Sequence, residues 1–339
     1  MFFNSYAMKH LSILIPEGHL ILDTIVGTLN LFKMANSYAR RIGKFDQDVF
    51  KIDLVARDQK PIQCHQYFEV KPTKVLKEVE QTDLIIITSI VGDLEKAILE
   101  NQSLIDWVRE KRVRNDADVV SLCRSTFLLA ETGLLNGKSC ATHWAVHQQF
   151  EKKYRNNIKL LPEKIISEDN GIYSSGGAYS FLNMIIYLIE KYYGRETAIW
   201  CSKMGEIDFD RMNQNQFVIF SGQKDHDDEV IKEVQEYIEG HFEDKISVDS
   251  LAKKFAISNR NFIRRFKKAT QNTPFEYIQR VKVEVAKKSL ESTPMNIMQV
   301  MFQVGYNDEK AFRKIFKKFT GLSPVAYRKK FNREMAFAV

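Results

Sequence analysis

Only four residues of 339 are cysteine, and Cys64, Cys123, Cys140 and Cys201 form no C-x-x-C pair and no zinc-type spacing with histidine. That excludes a disulfide framework and a finger-type metal site, and it reads as reduced thiols. No apolar run approaches the roughly 18 residues that a membrane helix needs. The segment Met1 to Lys9 lacks the charged-then-apolar order of a signal peptide. A soluble, cytoplasmic protein without cofactor, metal or membrane partner is therefore expected. Even charge is lacking along the chain. Lys245 to Arg333 hold 21 Lys and Arg against 6 Asp and Glu, a net +15, so the remainder carries −8 of the formal +7. A segment this basic, joined to an acidic remainder, reads as a polyanion-binding module.

That basic segment repeats itself. Phe262, Phe266, Lys267, Lys268, Thr270, Pro274 and Tyr277 recur as Phe312, Phe316, Lys317, Lys318, Thr320, Pro324 and Tyr327. Two copies are too few for a solenoid. They suit a partner that is itself periodic, and duplex DNA turns once in about 34 Å. Each copy has the grammar of a helix-turn-helix. In the first, Leu251 and Ala252 lie on a helix capped by Ser247, Ala256-Ile257 make the turn, and Ser258 caps a second helix. In the second, Ile297 leads to Gly305, which is free to take a positive φ, and Asn307 or Asp308 opens the following helix. Pro274, Pro294 and Pro324 read as helix openers, which makes seven helices from Glu229 onward. The paired phenylalanines, four residues apart, face a core. Arg260, Arg264, Lys267 and Lys268, then Lys310, Arg313, Lys314 and Lys317, face away from it.

The first two hundred residues alternate apolar strands with helices. Strands are expected at 10–15, 50–56, 84–88, 118–123, 139–142, near Ile165 and at 172–173, with helices at 20–39, 94–111, after Cys123 and at 178–193. That alternation predicts a mostly parallel sheet covered on both faces. The boundaries are expected at 8–204 for this α/β domain, 205–228 for a polar linker and 229–335 for the all-α domain. Asp118 to Cys123 runs straight into a helix, a nucleophile elbow with the thiol at a helix N-terminus, where the dipole favours thiolate. His143 is a base candidate, and Asp23, after the first strand, would complete a Cys-His-acid set.

From residue 229 to 331 the chain resembles the AraC/XylS family of transcription regulators. The resemblance rests on Gly305-Tyr306-Asn307-Asp308, Ala311-Phe312, Phe316-Lys317-Lys318, Gly321-Leu322-Ser323-Pro324 and Tyr327-Arg328, with Arg280 and Ala286 to Leu290 on the connecting helix. It implies two recognition helices in successive major-groove segments. Carried over by position, the base readers are Arg260, Ile263, Arg264, Glu309, Lys310, Arg313 and Lys314. Lys267, Lys268, Lys317 and Lys318 suit phosphates, which position without reading sequence.

Residues 10 to 195 resemble the ThiJ/PfpI domain of the class I glutamine amidotransferase-like fold, through Leu128 to Gly137, Thr142-His143-Trp144 and Ser174 to Gly177. Joined to an AraC-type C-terminus, the chain is similar to GlxA-type regulators. The resemblance implies a flavodoxin-like doubly wound sheet and self-association. The chain departs from that family at Arg124-Ser125-Thr126, where small residues usually follow the elbow, and at Asn183, where an acid is common. Both departures weaken a catalytic role for Cys123. An effector pocket is expected at the carboxyl ends of the strands, formed by Asp23, Cys123, Arg124, His143 and Gly176 with the loops at 16–23, 89–92 and 174–177. The reading is a transcriptional regulator that binds double-stranded DNA and a small-molecule effector, forms a homodimer and meets RNA polymerase. The alternative is a cysteine-dependent hydrolase or glyoxalase-like enzyme fused to a DNA-binding module.

Overall fold

The computed structural model describes residues 7–332 except His65, Asp210 and Met212. Residues 333–335 of the expected second domain therefore lie outside the described residues. The chain divides into two compact units, Met1–Gln214 and Asn215–Val339.

In the first unit, seven strands form one sheet in the order 166–169, 172–175, 118–121, 84–87, 9–14, 50–56, 74–75. All neighbours pair in parallel except Ile166–Asp169 with Ile172–Ser175. That antiparallel edge turns on Asn170-Gly171, both at positive φ (55° and 76°), the dipeptide that a tight hairpin favours. Leu84–Ile87 is buried at all four positions, as a central strand covered on both faces must be. The helices are α1 Leu22–Arg41, α2 Leu94–Glu100, α3 Gln102–Asn115, α4 Thr126–Glu131, α5 His147–Tyr154, α6 Phe181–Tyr193 and α7 Arg195–Met204. α1, α6 and α7 pack on one another, and α4 packs on both α2 and α3. The fold is a doubly wound, flavodoxin-like α/β unit.

Two expected elements differ. The single helix over 94–111 is broken at Asn101, whose buried side chain clamps the loop after the first strand. Its Oδ1 accepts the Glu17 N–H at 2.8 Å, and its Nδ2 donates to the carbonyls of Glu17 at 3.1 Å and Ala97 at 2.8 Å. The strand expected at 139–142 is only Ser139–Cys140. It pairs with Lys159–Leu160 in a separate two-stranded sheet rather than joining the main one.

The second unit consists of α8 Glu229–Gly240, α9 Val248–Lys254, α10 Asn259–Thr270, α11 Pro274–Ser292, α12 Ile297–Gln303, α13 Glu309–Thr320 and α14 Pro324–Phe331. It holds two apolar cores. Ile231, Val234, Leu251, Phe262, Phe266 and Tyr277 build the first. Val283, Ala286, Leu290, Val300, Phe312, Phe316 and Tyr327 build the second. The 19-residue α11 contributes its first half to one core and its second half to the other, and at 1.5 Å per residue it extends about 28 Å. Pro274 and Pro324 sit in the first turn of their helices behind the caps Thr273 and Ser323. Pro294 does not: α12 starts at Ile297, and its cap is Asn296, whose Oδ1 accepts the Gln299 N–H at 2.9 Å. Ser258 occupies the cap position of α10 but makes no capping bond.

Candidate nucleic-acid interface and ligand-sensing loops

The two second helices, α10 and α13, show the same sequence of buried and exposed positions over all twelve residues. Phe262, Phe266 and Thr270 match Phe312, Phe316 and Thr320 inside. Each threonine donates to the carbonyl one turn back, at 2.9 and 2.8 Å. The turns before them match as well: Ile257 N–H donates to Ala252 O at 2.9 Å, and Tyr306 N–H to Met301 O at 3.0 Å. Ala256 and Gly305 hold the turn at φ 51° and 70°. The aromatic closures are also shared. Tyr277 donates to Glu239 at 2.6 Å, and Tyr327 to Glu291 at 2.5 Å, so α8 stands to the first copy as the end of α11 stands to the second.

Every residue expected to meet DNA is exposed: Arg260, Ile263, Arg264, Lys267 and Lys268 on α10, and Glu309, Lys310, Arg313, Lys314, Lys317 and Lys318 on α13. Ile263 is 41 % exposed amid cations, an apolar group available to a thymine methyl. Arg264 donates to Asn261 at 2.9 Å. Glu309 accepts from Arg313 Nε at 2.7 Å and Nη2 at 2.6 Å, which holds that guanidinium on the helix surface. Arg265, by contrast, serves the fold. It grips Asp228, the cap of α8, with bonds of 3.0 and 2.6 Å, and its bond is the main cause that holds the Asp228 carboxyl below the usual range. Sequence spacing gave no signal for that pair, because its partners are 37 positions apart.

In the first unit the elbow is present. Cys123 takes φ 61°, and its backbone is fixed on three sides. Its N–H donates to Ser175 Oγ at 3.1 Å, and its carbonyl accepts from Thr126 Oγ1 at 3.0 Å and Thr142 Oγ1 at 2.9 Å. The Ser125-Thr126 departure thus supplies hydroxyls that lock the elbow: Ser125 Oγ also accepts the Leu122 N–H at 2.9 Å. The expected thiolate is not favoured. Cys123 is 1 % exposed, and burial pushes its thiol up, outweighing the Ser89 hydroxyl and the Arg124 charge that pull it down.

Arg124 acts on both candidates, since its charge also lowers the His143 pKa, behind the larger effect of burial. Its guanidinium donates to Gly92 O at 3.0 Å. His143 Nδ1 accepts the Ala145 N–H at 3.0 Å, so the neutral ring keeps its proton on Nε2, where it is a donor and not a base. Among the described residues no hydrogen bond joins His143 to Cys123. Asp23 is exposed at the start of α1, and the thiol its charge raises, behind burial, is Cys64. The Cys-His-acid set is therefore not assembled: burial, the cap bond of the imidazole and the position of Asp23 each oppose it.

Gly176 meets none of those groups directly. A side chain there would come within 3.0 Å of Gln214 Nε2 and of Lys164 O. Gln214, read from sequence as linker, is buried in this unit, and no periodic signal marks it. A cleft of ≈ 1080 Å³ lies beside the ends of the strands at 9–14 and 50–56. Its walls include Gly18, His19, Arg57, Lys60, Tyr67, Phe68, Val91 and Lys96. It uses the expected loops at 16–23 and 89–92 but not Asp23, Cys123, Arg124, His143 or Gly176, because the hairpin of Ile62–Cys64 and Phe68–Val70 walls it on one side. Among the described residues no group of three or more His, Cys, Asp or Glu could hold a metal, and no helix is long and apolar enough to cross a membrane.

Comparison with known proteins agrees with both geometries. Residues 251–330 match a model described as a helix-turn-helix domain, and residues 38–191 match the DJ-1/PfpI family. The HTH-type transcriptional regulator GbdR of Pseudomonas aeruginosa is 21 % identical over 313 residues, which cover 91 % of this chain and 82 % of that one. Isonitrile hydratase of Pseudomonas putida is 24 % identical over 149 residues, 44 % of this chain and 62 % of that one. Among solved structures, a ThiJ/PfpI family protein from Pseudomonas syringae superposes with a TM-score of 0.50 at 15 % identity, covering 61 % of this chain and 78 % of that one, which speaks to fold alone.

Proposed function

We propose that this chain, a DJ-1/PfpI domain joined to an AraC-type helix-turn-helix domain, is a sequence-specific transcriptional regulator in the cytoplasm. The observation that carries the reading is the duplicated recognition surface. Two helices of identical burial pattern each present cations outward from a phenylalanine-anchored core. Arginine on such a face grips guanine bidentately, each good pair contributing about 1–3 kcal/mol of discrimination. The lysines toward the helix ends meet phosphates, which adds affinity without sequence preference. Arg264 and Lys314 are the central readers of the two copies, with Arg260, Ile263, Glu309, Lys310 and Arg313 beside them.

The first unit acts as the sensor: it binds a small molecule, pairs with a second copy, and sets how the DNA-binding units engage an operator and RNA polymerase. Linkage requires only that the effector prefer one arrangement over another. The cysteine does not carry chemistry in this reading, because its thiol is buried and protonated and its histidine is committed to a cap. Selection from a random duplex library is the direct test. Enrichment of one motif with two half-sites on the same face is expected. Recovery of unrelated sequences at equal affinity would refute sequence-specific regulation.

A further inference from the structure

We propose that the loops around Thr142, Trp144, Pro162, Lys164 and Gly177 form a receptor for a primary carboxamide, filled in this structure by the chain's own Gln214 and open to a small amide that displaces it. Gln214 is 1 % exposed. Its Oε1 accepts the backbone N–H groups of Trp144 at 3.2 Å and Gly177 at 3.1 Å. Its Nε2 donates to the carbonyls of Thr142 at 3.0 Å, Pro162 at 3.1 Å and Lys164 at 3.2 Å. Backbone groups make these five contacts, and the His147 ring Nε2 stands 3.4 Å from the amide nitrogen, so the site is built mainly by loop shape.

The donor and acceptor pattern names the ligand class. Two N–H donors converge on one point and three carbonyls on a neighbouring one. A neutral carboxamide offers an acceptor and a donor at that separation. A carboxylate would set a charged oxygen against three carbonyls, and an ammonium would leave two buried N–H groups without an acceptor. Gly176 keeps the room: a side chain there would stand 3.0 Å from the amide nitrogen and 3.0 Å from Lys164 O. The site is distinct from the elbow, since none of the five contacts involves Cys123.

Position gives the site a consequence. Gln214 is the last residue of the first unit, and its own N–H donates to Glu163 O at 2.9 Å beside the bridge of Lys164 with Asn213. Upstream, Asn183 Nδ2 donates to the Asp208 carbonyl at 2.6 Å, and Phe209 packs against the core of this unit with the Arg195 guanidinium 5.2 Å from its ring. Loss of the Gln214 side-chain contacts would loosen the backbone at 213 and 214, the end of this unit. That this loosening alters DNA binding rests on the regulator reading above; the amide site does not.

Because Gln214 competes from within the same chain, an external amide binds the wild type weakly. The test uses full-length protein with propanamide as probe and propanoate as its isosteric control. In Gln214→Ala, propanamide is expected to raise Tm and propanoate to leave it unchanged, with an apparent Kd at least about tenfold below that of the wild type. In the wild type, which needs no variant to fold, saturating propanamide is expected to speed hydrogen exchange at the backbone of 213 and 214. Equal responses to amide and acid in Gln214→Ala, or wild-type exchange unchanged at saturation, would overturn the site. Operator affinity measured with and without propanamide reads the coupling separately. Unchanged affinity despite accelerated exchange refutes the coupling alone, and absence of any preferred operator refutes the regulator reading while the amide result stands.

Discussion

Gly305 and Ala256 occupy equivalent turns, yet they are not interchangeable. Both hold positive φ, but a side chain at Gly305 would come within 2.4 Å of Glu243 O and 2.8 Å of Lys282 Nζ. Gly305→Ala therefore adds a clash to the left-handed strain that Ala256 already bears, and a loss of about 1–3 kcal/mol is expected. Urea denaturation of the full chain, followed through exchange across α12 and α13, reads it; stability equal to wild type would show that the turn relaxes freely. The cysteines give a second residue-scale prediction. All four are buried, and burial pushes Cys140 up to about 12 and Cys201 to about 11, with Cys123 raised in the same direction. Alkylation of the native protein by iodoacetamide at pH 7–8 should be slow at every thiol. Rapid labelling of Cys123 alone would reopen the enzymatic alternative.

Among elements, the acid sensitivity of α8 follows from one ion pair. Asp228 caps the helix through the Ile231 N–H at 3.3 Å and pairs with Arg265. Its folded pKa lies below its unfolded value near 3.8, so the bond stabilises above that value and its contribution is lost as pH falls through the lower, folded pKa. Asp228→Ala should cost about 1–2 kcal/mol at pH 7. The difference between variant and wild type should shrink below about pH 4, and a pH-independent difference would contradict the assignment. Six of the seven strands of the main sheet and the seven C-terminal helices were legible in sequence because their apolar periods are uninterrupted, as at Leu84–Ile87 and in the repeated Phe pairs; the two-residue edge strand Lys74–Val75 is too short to carry such a period. The break at Asn101 was not, because a clamp onto Glu17 is a contact 84 positions away. Gln214 was missed for the same reason: a polar residue among Asn and Gln reads as linker until its backbone partners are known. The proposed triad failed on burial and hydrogen bonding, which spacing alone does not encode.

For the molecule as a whole, the charge division predicts a binding strength set by salt. Each phosphate contact contributes about 0.9 to the slope of log affinity against log salt on duplex DNA. A Lys317→Ala/Lys318→Ala variant should lower that slope by about 2 while leaving the preferred sequence unchanged. An altered motif with an unchanged slope would mean that these lysines read bases. The duplicated arrangement, two cores on one connecting helix, makes the two recognition faces act as a unit, so loss of one central reader in each copy should remove specificity altogether. Genome-wide mapping of bound DNA for the wild type against Arg264→Ala/Lys314→Ala is the most direct measurement. Discrete wild-type sites that vanish in the double variant are the expected result; diffuse binding, equal in both proteins, would contradict sequence-specific regulation through these two helices.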